Sequence, residues 1–183
     1  MLLNLEEALI LMNKKRIIIV GKGGSGKDHM RKDLQSMGFK YCVSHTSRPM
    51  RDGESEGVDY FFVDPEYFQK NPELFYESVI FNDWYYGTSI AEFRRSNLLI
   101  MTPSGIGKLT SQDRSESLIV YIDIPEDVRR GRLQKRGDSD SVHRRLSADF
   151  RDFDNFFDYD LSIKDPFFKC NFDWANPEMF KTI

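Results

Sequence analysis

The chain is poor in several residue types and features, and each shortage excludes something. Only two cysteines, Cys42 and Cys170, occur in 183 residues. No disulfide framework is expected, and a reducing cytoplasm suits the composition. The three histidines, His29, His45 and His143, are scattered and suggest no metal site. Charge of one sign is nearly absent in sum. The net charge is −3, which draws the protein to neither nucleic acid nor membrane. There is no internal repeat and no low-complexity linker. The apolar stretch Leu2–Met12 is too short to span a bilayer and is broken by Glu6 and Glu7. Its positive residues, Lys14, Lys15 and Arg16, follow it, the reverse of a signal peptide, so a short amphipathic lead-in helix is expected. What remains is a 40% hydrophobic chain with room for one full core and a small inserted subdomain.

The apolar run Ile17–Val20 leads straight into Gly21-Lys22-Gly23-Gly24-Ser25-Gly26-Lys27-Asp28. A buried strand, a Gly-rich turn and a helix start, in that order, make a phosphate-binding loop. Glycines let the backbone curl around an oxyanion with N–H groups inward, and the helix that follows adds its positive end. Lys27 supplies a mobile charge for β- and γ-phosphates. The pattern asks for Ser or Thr after the lysine to ligate Mg²⁺, and Asp28 stands there instead. The chain is therefore expected to bind a nucleoside triphosphate with Mg²⁺. Asp28 can ligate the metal directly or through water, while adding negative charge near the phosphates.

Strands are expected at 16–20, 41–45, 60–63, 75–81, 84–86, 98–101, 118–122 and 159–163. Helices are expected at 27–37, 65 onward, 90–95, 125–136 and 141–157. Asp64-Pro65-Glu66 carries a helix-start signature, and Asn82-Asp83 a hairpin turn. Apolar strands alternating with helices imply a parallel α/β sheet covered by helices. The β-rich excursion near 40–90 implies an inserted β subdomain.

A second anion site is suggested by Arg48 and Arg51, three residues apart in a loop held by Pro49 and Gly53. Guanidinium forks bind phosphate bidentately. On their own, two solvated arginines explain the same pattern. The longer stretch Thr46-Ser47-Arg48, Arg51, Glu54, Gly57 and Asp59-Tyr60-Phe61-Phe62-Val63 resembles the acceptor-binding signature of the guanylate kinases. Glu77 and Tyr85-Tyr86-Gly87-Thr88 resemble that family's base-binding strand. Arg132 to Gly137 and Arg144-Arg145-Leu146 resemble its lid. The resemblance runs in order over roughly 16–165. It implies a P-loop kinase fold with a core at 16–46, 91–128 and 147–183. The nucleotide-monophosphate subdomain would cover 47–90 and the lid 129–146. It further implies that Arg48, Arg51, Tyr60 and Tyr86 hold the acceptor phosphate and that Ser44, Glu77 and Thr88 face guanine. Arg132, Arg136 and Arg145 would meet the charge on the transferring phosphoryl group. Arg132 and Arg136 share a helix face at a spacing of four, which a solvated basic helix would also give.

Two positions depart from that family. One is Asp28. The other is Ile100-Met101-Thr102, where the guanylate kinases carry an Asp-x-Asp that helps read the base. Thr102 can accept one hydrogen bond there. Ribose 1,5-bisphosphate phosphokinases share both departures, and some nucleotide kinases also tolerate Asp after the lysine. Guanylate-kinase-like binding modules form a third alternative, but they typically lose the loop lysine and lid arginines that this chain retains. The reading is transfer of the ATP γ-phosphate to GMP or dGMP, by a protein of undetermined oligomeric state.

Overall fold

The computed structural model describes residues 13–81, 83–136 and 142–170, without the side chain of Arg136. The expected lead-in helix at 2–12 lies outside the described residues, as do Asn82 of the hairpin turn, the middle of the lid and the tail beyond Cys170. Strand β1 (Arg16–Gly21) runs into α1 (Lys27–Ser36), and β2 (His45–Thr46) and β3 (Phe61–Phe62) follow. Next come α2 (Pro65–Lys70), a 3₁₀ turn at Pro72–Leu74, β4 (Phe75–Phe81), β5 (Trp84–Ser89), α3 (Ile90–Arg95) and β6 (Leu98–Ile100). The chain continues through α4 (Pro103–Ile106), α5 (Ser111–Ser115), β7 (Ser117–Ile122), α6 (Glu126–Arg136), α7 (Val142–Asp152) and β8 (Leu161–Ile163).

These strands form two sheets. The first has the order β6-β1-β7-β8, and every pairing in it is parallel. Parallel strands need crossovers, and the crossovers cover both faces. Ile17 and Ile19 of β1 accordingly pack with Met30 and Leu34 of α1. Ile18 and Val20 pack on the other face with Phe93 and Ile106, from α3 and α4. This explains why β1 and β7 read as unbroken apolar runs rather than alternating ones. The second sheet, β3-β2-β5-β4, is mixed: β2 runs parallel to β3, while both pairings of β5 are antiparallel.

The expected strand at 41–45 is divided. Tyr41 makes an isolated parallel bridge to Leu98, and Cys42 N–H donates to the Leu98 carbonyl. Only His45 and Thr46 pair in the second sheet, because the chain crosses between sheets at Val43–Ser44. The helix expected over 141–157 ends at Asp152, and Asn155 turns the chain with φ 57°. Asp64 precedes α2 but makes no side-chain cap bond; Pro65 at the first position supplies the start. Two short helices were not expected. Thr102 caps α4 by accepting from Gly105 N–H at 3.1 Å, and Thr110 caps α5 by accepting from Asp113 N–H at 3.1 Å. Thr-Pro at 102–103 is a start signal that sequence reading can find.

Gly87 on β5 is fixed by close approach. A Cβ there would lie 2.8 Å from ring atoms of both Phe68 and Phe75. Those rings stack at 4.7 Å, so neither can swing away alone. Gly87→Ala is expected to lower unfolding stability by about 1–3 kcal/mol, through overpacking of a filled core. A denaturant melt with an unchanged midpoint would disprove this.

Candidate active site

The loop after β1 owes its shape to its glycines. Gly24 and Gly26 have φ of 76° and 109°, and a Cβ on Gly24 would meet the Arg129 carbonyl at 2.9 Å. Residues with side chains cannot hold that curl without strain. The loop opens into a cleft of about 300 Å³ lined by Gly21, Gly23, Gly24, Gly26, Lys27 and Asp28. Lys22 and Ser25 do not line it. The Lys22 ammonium lies over the Phe153 ring at 5.7 Å, and the Ser25 hydroxyl is buried without a partner.

Lys27 folds back on its own loop, its Nζ donating to the Gly21 carbonyl at 2.6 Å and the Lys22 carbonyl at 3.1 Å. Burial lowers its pKa, and the Asp149 and Asp28 carboxylates oppose that shift. The Asp28 side chain is 65% exposed at the cleft lip, 3.8 Å from Arg31 Nε. One carboxylate beside a triphosphate fits Mg²⁺, which takes one or two protein carboxylates and completes its shell with phosphate oxygens and water. Among the described residues, no group of three or more His, Cys, Asp and Glu is arranged to hold a metal ion.

The same cleft collects the second half of the expected site. Ser44, Arg48, Arg51, Tyr60, Glu77 and Tyr86 all line it, although they come from β4, β5 and the segments around β2 and β3. Arg48 is buried. Its Nη2 donates to both Glu54 oxygens at 2.8 and 3.0 Å, while its Nε is buried with no hydrogen-bond partner among the described residues. Glu54 also accepts from the Arg51 amide at 2.9 Å, so one carboxylate organises the arginine loop. Burial, with Tyr86 next in effect, pushes the Tyr60 phenol well above its ordinary pKa, so its hydroxyl remains a donor.

Thr88 stands behind Glu77 rather than on the cleft wall. Its hydroxyl donates to Glu77 Oε1 at 2.8 Å, leaving Glu77 Oε2 buried and unpartnered. Burial raises the Glu77 pKa, and the Thr88 hydrogen bond offsets part of that rise. Beside it, Ile100, Met101 and Thr102 line the cleft where the sequence reading noted the missing acidic pair. The Thr102 hydroxyl also accepts the α4 cap bond, which leaves it a second lone pair and its own proton.

Of the lid arginines, Arg132 and Arg145 line the cleft. Arg132 Nη1 donates to the Gly24 and Ser25 carbonyls, both at 3.1 Å, and its Nη2 donates to the Pro166 carbonyl. The Arg136 side chain lies outside the described residues. Arg144 reaches the hairpin tip, its Nη2 lying 2.6 Å from Asp83 Oδ2. Sequence reading missed Arg129 of α6 and Asp149 of α7, which bond Gly23 of the loop, and Asp152 of α7, which lines the cleft. No local pattern marks them, because a twenty-residue separation says nothing about contact.

Comparison with known proteins identifies a family. The family model described as guanylate kinase matches residues 13–169. A guanylate kinase of Legionella pneumophila (strain Lens) is 46% identical over 83 residues, 43% of this chain and 39% of that protein. The chain thus spans about two-fifths of that relative's length. A guanylate kinase of Onion yellows phytoplasma is 33% identical over 168 residues, 83% of this chain and 79% of that protein. A crystal structure of guanylate kinase from Anaplasma phagocytophilum matches with a TM-score of 0.62 at 19% identity, covering 91% of this chain and 82% of that one, a likeness of fold. Loop, acceptor signature and fold thus point one way, and with the family model spanning 13–169 the chain belongs to the guanylate kinase family.

Proposed function

We propose that the protein transfers the γ-phosphoryl group of ATP to GMP or dGMP. One observation carries the reading. In a cleft that already holds a phosphate loop, Arg48 Nε, a guanidinium donor, and Glu77 Oε2, a carboxylate acceptor, are buried at the acceptor end with no hydrogen-bond partner among the described residues, while Asp152 Oδ2 is left so on α7. Buried polar groups are costly unless a ligand pairs them. A nucleotide with an anionic phosphate and an N1–H/2-amino edge offers both partners. A sugar phosphate satisfies Arg48 but offers Glu77 only hydroxyl donors, without the fixed pair of N–H donors on the guanine edge.

In this reading Arg48, Arg51, Tyr60 and Tyr86 hold the acceptor phosphate, and Glu77, oriented by Thr88, reads guanine from a pocket that Ser44 also lines. Lys27 leaves the loop carbonyls for the triphosphate, and Arg132, Arg136 and Arg145 face the developing charge. The acceptor phosphate oxygen is already an anionic nucleophile, so no protein base is required. Asp28 would hold Mg²⁺, which when bound supplies neutralising charge to the β- and γ-phosphates. The subdomain spanning 47–90 and the lid spanning 129–146 belong to the same reading, with the second sheet beginning at His45. So does a cytoplasmic location, supported by two free, buried cysteines. No helix among the described residues is long and apolar enough to cross a membrane.

The test is ADP release from Mg-ATP against GMP, dGMP, AMP, dTMP, CMP and ribose 1,5-bisphosphate. Turnover confined to the two guanine nucleotides is expected. Turnover of another acceptor, or none, ends the assignment. Asp28→Ser is expected to retain or raise kcat at saturating Mg²⁺, because a hydroxyl ligates the same ion with less negative charge beside the phosphates. A large loss would instead make the carboxylate itself essential.

A further inference from the structure

Against the phosphate loop lies a buried ion pair that the reaction scheme does not use. Arg129 Nη1 of α6 and Asp149 Oδ2 of α7 are 3.0 Å apart, with side chains 4% and 3% exposed. Together they grip one peptide group on each side of Gly23. The Gly23 N–H donates to both Asp149 oxygens, at 2.9 and 3.1 Å. The Gly23 carbonyl accepts from Arg129 Nη1 at 3.2 Å. Arg129 is itself anchored, its Nε donating to the Ile124 carbonyl at 3.0 Å, just beyond β7. Three residues along α6, Arg132 bonds the next two loop carbonyls, those of Gly24 and Ser25.

The loop's construction explains the need. A loop that turns its N–H groups toward an anion turns carbonyls away from it, and those carbonyls need donors. A loop with four glycines in six residues also has much conformational freedom to lose. Without bracing, that ordering cost falls on nucleotide binding. With bracing, it is met during folding. Asp149 and Arg129 carry opposite charges, so as a pair they add no net charge beside the phosphates.

We propose that Arg129 and Asp149 are positioning residues for the triphosphate, holding the Gly23 peptide so that the phosphate loop is curled to receive an anion before nucleotide arrives. The proposal rests on the kinase reading only in taking ATP as the loop's ligand. Removing one partner would strand a buried charge, whereas replacing both with apolar residues is commonly tolerated by a fold. Gly23 is half-buried and lines the cleft, so water can reach its N–H once Asp149 is gone.

The experiment compares the parent with Arg129→Leu/Asp149→Leu by calorimetric titration of ATP and, separately, of GMP, alongside thermal unfolding. ATP affinity is expected to fall about tenfold or more through lost preorganisation, while GMP affinity changes less than about twofold. Equal losses for both ligands would mean general loosening and would overturn the proposal, as would unchanged ATP affinity. Arg129→Lys guards against a double variant that fails to fold. It keeps a charge opposite Asp149, but a single ammonium cannot stand both where Nε meets the Ile124 carbonyl and where Nη1 meets Gly23 and Asp149. A selective partial loss of ATP affinity is expected, and parent-like affinity would sink the two-sided grip. If the parent binds ATP but not GMP, the acceptor assignment fails while the ATP comparison still decides the proposal.

Discussion

Lys27→Ala is expected to lower turnover by about a thousandfold, the cost of deleting a charge donor aimed at a transferring group, while GMP binding stays close to that of the parent. The split follows from position. Lys27 begins α1 at the end of the glycine loop, and its ammonium rests on the Gly21 and Lys22 carbonyls. Those bonds are local to the loop, and a triphosphate's oxygens offer the same ammonium charged acceptors in their place. The acceptor half is built by other elements: Arg48 and Arg51 on the loop after β2, Glu77 on β4 and Tyr86 on β5. Truncating Lys27 removes no partner from any of them. Steady-state kinetics with GMP calorimetry separates the two effects. Retained turnover would end the phosphate-loop assignment, and lost GMP binding would mean that the two halves are not independent.

Glu77→Gln is expected to reduce the preference for GMP over AMP by about a hundredfold or more, since a site built around a specific hydrogen-bond pair owes its selectivity to groups left unpaired by the wrong ligand. Guanine presents two donors, N1–H and the 2-amino group, to an acceptor-only carboxylate; adenine has no such pair. Thr88 holds one Glu77 oxygen and leaves the other buried and unmet. A glutamine offers one acceptor and an NH₂ group that opposes guanine's own donors. A pH signature accompanies this. Burial raises the Glu77 pKa. The ionised form accepts guanine, so kcat/KM for GMP should fall on the acid side, starting at a higher pH than an ordinary glutamate would give. In Glu77→Gln that acid limb should disappear. An unchanged base preference, or the same limb in the variant, would move base reading elsewhere in the cleft.

The elements most legible in the sequence were those set by local chemistry. Ile17–Val20 and Leu118–Ile122 are apolar at every position because both faces of a parallel strand are covered. The glycine loop was legible because its backbone geometry restricts residue choice. The divided strand at Tyr41–Thr46 was not legible, because the crossing between sheets depends on where Leu98 and Tyr86 lie. Thr102 was expected to accept one hydrogen bond in the cleft; it lines the cleft and also caps α4, a second task that the sequence reading did not assign to it. Thr88 was expected on the cleft wall and instead steers Glu77, a difference of one contact that no spacing records.

By itself the sequence determined the glycine-rich loop and the alternation of strands and helices, because each follows from chemistry within a few residues, whereas the set of Arg48, Arg51, Tyr60 and Tyr86 came only from the family resemblance. Tertiary structure alone decided that these segments share one cleft, that Glu77 and Arg48 keep an unmet polar atom there, and that Arg129 and Asp149 brace Gly23. The physical reason is distance along the chain. Burial, desolvation and charge pairing depend on which surfaces meet, and residues 106 and 126 positions from Gly23 meet it only after the sheet and helices have packed.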